Sequence, residues 1–150
     1  MYNIFILFIL LKYNLNIYKD LLIFKLNMCG IFSLLNTRGF SPEFINTQFE
    51  KGKNRGPEYS KLESFNHSDF FLGFHRLAIN GLNEKSNQPI SIDNVVLVCN
   101  GEIYNYKYLY ELMGIKPETD SDCEVIIHLY TRYGIEQTLQ MLDGVFGFVL

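Results

Sequence analysis

The chain has 150 residues, of which 48% are hydrophobic and 19% are charged, and its formal net charge is -3 at pH 7. This length suits one domain with a core of its own, and the composition is far from that of a disordered protein. Since no extended run of Lys or Arg is present, the sequence gives no reason to expect a nucleic-acid partner.

The first 27 residues are interpreted as a leader, either poorly ordered or helical. Their apolar run, residues 4–11, is far shorter than the roughly 20 residues that span a bilayer, and no signal-peptide pattern surrounds it. Three explanations stay open: a wrongly assigned start codon with Met28 as the true start, which we favour, a removable propeptide, and an apolar anchor or helix packed on the domain.

Cys29 follows Met28 and opens an apolar run, residues 30–35, that predicts a buried strand. If Cys29 is the first residue, one carbon carries a thiol and a free α-amine, which is a nucleophile with its own base. If Met28 precedes it, that nitrogen is an amide and cannot act as a base. Cys29, Cys99 and Cys123 lack disulfide or zinc spacing, so we expect no metal, and reduced thiols in the cytoplasm.

A helix and a tight turn are predicted next. Ser41 has the character of an N-cap with Pro42 at the first helical position, and the helix should end near Gly52. In the turn at 55–58 a proline drives the preceding glycine out of the helical region. Arg55 opens this turn and either points at a site or holds the loop.

Two strands of a hairpin are predicted at residues 61–66 and 69–74, and Arg76 lies where the second strand ends. A solvated strand end is the simplest explanation for an arginine at such a place. Its position just ahead of a loop also suits a planar guanidinium that binds a substrate carboxylate.

Residues 95–99 predict another buried strand, which should break at Asn100 and Gly101. An Asn-Gly pair is usually only a turn. The same pair can also present a side-chain amide and an unshielded N–H to one point, as an oxyanion hole does.

Helices dominate the remaining residues. Ser121 and Glu124 are spaced as a capping box for a helix that ends at Gly134, and Asp122 in its first turn would stabilise the helix dipole. The other elements expected here are helices at 105–113 and 135–142 and a strand at 144–150.

Seven short motifs occur together: MCGIF (28–32), RGPE (55–58), FHRLAI (74–79), NQPI (87–90), CNGEIYN (99–105), SDCEVI (121–126) and GVFGF (144–148). In order and spacing they resemble the glutaminase domain of glutamine-hydrolysing asparagine synthetases, which are class II glutamine amidotransferases. The resemblance covers residues 28–150, and its specificity comes from the joint occurrence of motifs that are weak singly.

This resemblance implies an α+β fold of the N-terminal nucleophile hydrolase type, a four-layer αββα sandwich with two antiparallel sheets between helix layers. It also implies that Cys29 attacks the side-chain amide of glutamine while its α-amine relays the proton. Asn100 and the N–H of Gly101 would then form the oxyanion hole.

The resemblance further assigns the two ends of the substrate. Arg76 would bind the glutamine carboxylate, and the backbone around Ile79 and Asn80 would line the pocket. Glu102 and Asp122 would hold the α-ammonium group.

Two residues depart from the family pattern: Asn54 stands where a histidine is common, and Glu58 where an aspartate is usual. We expect both to tune the loop over the thiol. The family domain also continues beyond Leu150 and is followed by an ATP-dependent synthetase domain. We therefore expect a C-terminally truncated domain that needs no cofactor, with ATP and Mg²⁺ used only in that absent part.

Three functional hypotheses follow. The first is glutamine hydrolysis that supplies ammonia to an asparagine synthetase, with L-glutamine and the synthetase domain as partners, a homodimer in the full-length family and no membrane. The second is an inactive truncated remnant or a glutamine-binding module. The third is a membrane-associated protein that uses residues 1–26 as an anchor.

Overall fold

The computed structural model describes residues 6–7, 29–35, 37, 39–65, 70–78 and 83–150. Its strands are β1 (Ile6–Leu7), β2 (Gly30–Leu35), β3 (Tyr59–Phe65), β4 (Phe70–Arg76), β5 (Ile90–Ile92), β6 (Val95–Ile103) and β7 (Gly144–Val149). Its α-helices are α1 (Pro42–Glu50), α2 (Tyr106–Met113) and α3 (Val125–Met141). Short 3₁₀ helices span Lys53–Arg55, Glu84–Ser86 and Asp122–Glu124.

The first sheet has the antiparallel order β2-β4-β3. Strands β3 and β4 form the predicted hairpin, although the turn between them lies outside the described residues. Helix α1 begins at the predicted proline and covers one face of this sheet. There the ring of Phe49 stacks on His75 at a centroid distance of 4.0 Å and meets Phe32 edge-on at 5.8 Å.

The second sheet has the order β1-β7-β6-β5. Strand β6 is longer than predicted: its first three residues pair with β5 and the remainder with β7. The predicted break after Cys99 is wrong, because Asn100 pairs with Gly147 and Gly101 with Phe146. The ladder with β7 imposes an extended conformation that the local Asn-Gly signal does not predict.

The two sheets pack face to face, and helices cover their outer faces. Leu72 and Phe74 of β4 lie in one buried cluster with Val98 of β6 and Val149 of β7. On the other side of the second sheet, α2 and α3 pack over β6 in a larger cluster that includes Leu109. The layer order is therefore αββα, which confirms the expected α+β sandwich.

The entry into α3 differs from the predicted capping box. Ser121 caps the 3₁₀ helix that precedes α3, but the Glu124 side chain does not bond back to the Ser121 N–H, which donates to the Thr119 hydroxyl instead. The Glu124 carboxylate accepts hydrogen bonds from the backbone N–H groups of Glu118 at 2.8 Å and Thr119 at 2.6 Å. The predicted helix end at Gly134 is confirmed by its φ of 78°, which separates two helical segments within α3.

Of the leader, only strand β1 is described. It pairs antiparallel with the end of β7, Ile6 opposite Val149 and Leu7 opposite Phe148. At these two residues a strand replaces the expected helix or irregular segment, and the other leader residues lie outside the described part of the chain. No helix among the described residues is long and apolar enough to cross a bilayer.

Candidate active site

A cavity of about 240 Å³ lies where one end of each sheet meets the 3₁₀ helix before α3. It brings together motifs that are far apart in the sequence. The predicted site residues in its lining are Cys29, Arg76, Asn100, Gly101, Glu102 and Asp122. The predicted pocket residues Ile79 and Asn80 lie outside the described residues.

Cys29 immediately precedes β2, and its half-buried thiol is held at the exit of β4. The Sγ atom is 3.3 Å from the carbonyl oxygen of Leu77 and 3.3 Å from the Leu77 nitrogen, which donates to it. Burial raises the pKa of the Cys29 thiol, and the Leu77 hydrogen bond and the nearby Arg76 charge only partly oppose this. At neutral pH the group is therefore a thiol that needs a base.

Arg76 is the last residue of β4 and is 7% exposed. Its Nη1 donates to the side-chain oxygen of Asn87 at 2.5 Å and to the carbonyl oxygen of Asn83 at 3.3 Å. Asn83 also caps the 3₁₀ helix that follows it. Asn83 and Asn87 thus orient the guanidinium while it lines the cavity. This geometry suits the binding of an anion.

Asn100 and Gly101 reach the cavity from within β6, not from a turn. Gly101 has a φ of 152°, and a Cβ atom there would lie 2.2 Å from the carbonyl oxygen of Val145. Only glycine fits this close approach between β6 and β7. The Asn100 side chain and the Gly101 backbone therefore occupy a conformation fixed by the second sheet.

The two carboxylates in the cavity differ in environment. Asp122 is 5% exposed, and its Oδ2 accepts from the backbone N–H of Ile103 at 2.7 Å. Glu102 is exposed at the edge of the cavity. The site therefore has one fixed and one solvent-facing carboxylate, in addition to the guanidinium of Arg76.

The turn at 55–58 holds the loop beside the thiol. Arg55 Nε donates to the backbone carbonyl of Cys29 at 3.4 Å, so the loop-holding interpretation of Arg55 agrees with its geometry. Glu58 accepts from the backbone N–H of Ala78 at 2.5 Å, and Asn54 lies in the adjacent 3₁₀ helix. The longer carboxylate of Glu58 thereby ties this turn to the exit of β4.

Sequence reasoning missed several residues of the site. Leu77 contacts the thiol through its backbone, which no side-chain pattern reveals. Asn87 and Gln88 belong to the NQPI motif, yet that motif had no assigned role. Cys99 and Cys123 also line the cavity, and the thiol of Cys99, together with burial, raises the pKa of Cys123.

Fold and cavity together define a domain with a cysteine, an arginine, an Asn-Gly pair and two carboxylates around one small-molecule pocket. A family profile described as a glutamine amidotransferase domain matches residues 28–150. The chain therefore belongs to the glutamine amidotransferase domain family.

Its relatives include proteins named asparagine synthetase [glutamine-hydrolyzing]. The chain is 43% identical to the chicken protein over 134 residues and 39% identical to the human protein over 132 residues. It is 36% identical over 128 residues to a probable asparagine synthetase [glutamine-hydrolyzing] of Acanthamoeba polyphaga mimivirus. Each match covers 82% of this chain but only 22% of the chicken and human proteins and 23% of the viral one.

Proposed function

We propose that this domain hydrolyses the side-chain amide of L-glutamine to glutamate and ammonia, with Cys29 as the nucleophile. The observation that carries the proposal is the convergence of Cys29, Arg76 and the Asn100–Gly101 pair on one cavity within a glutamine amidotransferase domain. The cavity is of a size that suits a single amino acid rather than a large ligand.

In the proposed reaction the Cys29 Sγ attacks the amide carbon, and the proton of the thiol passes to the α-amine of Cys29. The developing oxyanion accepts hydrogen bonds from the Asn100 side chain and the Gly101 N–H. The amine returns the proton to the leaving nitrogen, so ammonia departs and a glutamyl thioester remains. Water then attacks the thioester, which releases glutamate and restores the thiol.

Charge complementarity supports the proposed orientation of the substrate. Arg76 provides the cation for the glutamine carboxylate, while Asp122 and Glu102 provide anions for its α-ammonium group. Ile79 and Asn80 stay proposed as backbone contacts of the pocket.

The base in this mechanism requires that nothing precede Cys29. An α-amine has a pKa of about 7.7 to 8.0, so it exchanges protons near neutral pH. A peptide bond to Met28 would remove that function. We therefore propose that the active form begins at Cys29.

The wider role is proposed from the relatives' names. Ammonia released here would be used to make asparagine by a synthetase part, and ATP and Mg²⁺ would be needed only there. We propose a cytoplasmic location because Cys29, Cys99 and Cys123 are free thiols and a catalytic thiol has to stay reduced. A homodimer of the complete protein is a further expectation.

The test uses a version of the full chain in which a site-specific protease recognition sequence replaces residues 23–28. Cleavage after folding leaves Cys29 first, and we call this product the processed chain. Incubated with glutamine, it should release ammonia and glutamate in equal amounts, and the Cys29→Ala variant should release neither. Glutamine binding without turnover would instead support the hypothesis of a glutamine-binding module. If the processed chain neither binds nor hydrolyses glutamine, the result would support the inactive remnant.

A further inference from the structure

A buried glutamine side chain contacts the strand that carries the proposed oxyanion hole. Gln88 is 5% exposed. Its Oε1 accepts from the Cys99 N–H at 2.5 Å, and its Nε2 donates to the Cys99 carbonyl at 3.0 Å. Both polar ends of the amide are therefore satisfied by the backbone of a single residue, the one that precedes Asn100.

The register explains why a side chain is needed at this place. Strand β5 begins at Ile90, which pairs with Leu97 of β6. Continuation of that register would place Gln88 opposite Cys99, but β5 does not extend that far. The Gln88 amide, which has the same donor and acceptor as a peptide group, makes the missing pair of bonds.

These bonds fix the backbone of β6 close to the point where its pairing partner changes from β5 to β7. On the other edge of β6, Cys99 lies opposite Phe148 of β7, so the strand is paired on that edge while Gln88 bonds the backbone of Cys99 on this one. Asn100 and Gly101 follow directly. An oxyanion hole stabilises the developing negative charge well only if its donors are held within about 0.5 Å of the productive position.

We propose that Gln88 is a positioning residue that sets the oxyanion hole by holding the Cys99 backbone. This inference rests on the proposed glutaminase function and deepens it. It predicts that loss of the Gln88 amide lowers the rate of the chemical step more than it weakens the capture of glutamine. Although Gln88 lines the cavity, both polar atoms of its amide bond to the Cys99 backbone.

The first test replaces Gln88 by Met, which has similar length but no amide. In the processed chain kcat should fall about 10- to 100-fold while KM changes less than about threefold. The rate at which iodoacetamide alkylates Cys29 should be unchanged, since that reaction needs no oxyanion hole. Hydrogen exchange at the Cys99 amide should become faster. The matched control is Gln137→Met, the same change at an exposed position of α3.

A second variant, Gln88→Glu, covers the case in which the methionine variant does not fold. Its ionised carboxylate accepts from the Cys99 N–H but opposes the Cys99 carbonyl, whereas the protonated form donates to it. Its kcat relative to the parent chain should therefore recover as the pH is lowered from about 8 to about 6, since burial raises a carboxyl pKa. A merely structural defect would leave this ratio flat.

The outcomes separate the two proposals. If the parent processed chain releases no ammonia, the glutaminase function fails and this inference fails with it. If the parent is active, a folded Gln88→Met chain with unaltered kcat overturns the inference alone. Equal losses in kcat and in Cys29 alkylation, or a flat Gln88→Glu ratio, would also overturn it, because they indicate a general disturbance of the site.

Discussion

At the scale of single residues, the protonation of Cys29 decides how the cavity can react. Burial raises the pKa of its thiol, and neither the Leu77 hydrogen bond nor the Arg76 charge brings it down to the ordinary value. The thiolate is therefore scarce near neutral pH. A nucleophile in this state depends on a base close to the sulfur. A free α-amine on Cys29 would be such a base.

The pH dependence of Cys29 alkylation tests this environment in the uncleaved full chain. Because a raised pKa shifts thiolate formation to higher pH, the alkylation rate should reach half its maximum at a higher pH than that of a cysteine in a short peptide. Iodoacetamide labelling followed by mass spectrometry between roughly pH 6 and pH 10 measures this. Buried Cys99 and Cys123 provide internal controls, and a midpoint at or below the peptide value would contradict the prediction.

Asn87 contacts the guanidinium of Arg76, since its side-chain oxygen accepts from Nη1 at 2.5 Å. Replacement of Asn87 by Leu should raise the KM for glutamine about tenfold, because a hydrogen bond to a charged group contributes about 1.5 to 3 kcal/mol. The value of kcat should change little. Steady-state kinetics of the processed chain measure both, with Asn46→Leu on the exposed face of α1 as control. An unchanged KM would show that Arg76 needs no such support.

Side-chain chemistry made part of this site predictable. Arg76 could be proposed from its place at a strand end, and Asn100 with Gly101 from the ability of that pair to bind an oxyanion. The contact of the thiol with Leu77 and the contact of Gln88 with Cys99 were not predictable, since each involves backbone groups that every residue has. Such partners depend on strand register, which a single sequence does not specify at this detail.

At the scale of elements, strand β6 shows how tertiary pairing overrides a local signal. The Asn-Gly pair predicts a turn, yet β7 continues the ladder through Gly101 to Ile103. The helices were predicted more closely, because proline, N-cap residues and glycine determine helix ends through local geometry. The exception is Glu124, whose carboxylate bonds to the 118–119 backbone, not to the N-cap.

Gly101→Ala should destabilise the domain by about 3 kcal/mol or more, since its Cβ would lie 2.2 Å from the Val145 oxygen at a φ that other residues avoid. The matched control is Gly147→Ala in β7, where an added Cβ meets no atom within 4 Å. That change should alter the free energy of unfolding by less than about 1 kcal/mol. Urea denaturation of both variants makes the comparison, and equal effects would refute the steric argument.

The carboxylate of Glu124 should make the free energy of unfolding vary with pH in the acid range. Burial alone would raise its pKa, but hydrogen bonds from the 118–119 segment and His128 outweigh burial and lower it below 4.5. A carboxyl whose pKa is lower in the folded state contributes stability above its unfolded pKa and loses that contribution as the pH falls. Glu124→Gln should therefore cost about 2 kcal/mol at neutral pH.

The cost of Glu124→Gln should shrink as the pH falls from the ordinary pKa of a glutamate towards the lower pKa of folded Glu124, where the parent carboxyl also becomes protonated. Urea denaturation of parent and variant at several pH values measures the difference. A difference that stays constant with pH would mean that the carboxylate charge does not contribute. Glu136→Gln, at an exposed position of α3, is the matched control and should change stability little at any pH.

At the scale of the whole molecule, the cavity is a product of the sandwich and belongs to no single element. Its lining runs from Cys29 before β2 to Val145 in β7, so both sheets have to pack before the site exists. Short apolar runs predicted several of the strands, and the resemblance carried by the joint motifs implied the two sheets and a common site for their loops. The pairing of β1 with β7 could not be foreseen, because two residues carry no periodic signal.

In the proposed mechanism, the state of the Cys29 nitrogen decides whether the assembled site hydrolyses glutamine. A base that moves a proton in the transition state contributes about 10²- to 10⁴-fold. The processed chain should therefore exceed the uncleaved full chain in kcat by at least about 100-fold. Its activity should fall as the pH drops below the amine pKa of about 7.7 to 8.0, because the protonated amine accepts no proton.

A third form separates the amine from the cut itself. If cleavage leaves one glycine before Cys29, the leader is released as before, but the free amine is moved to the glycine and the Cys29 nitrogen becomes an amide. This form should have the low kcat of the uncleaved chain while its Cys29 is still alkylated by iodoacetamide. Equal turnover by the glycine form and the processed chain would mean that another group deprotonates Cys29. The cavity would then have to contain a base other than the α-amine.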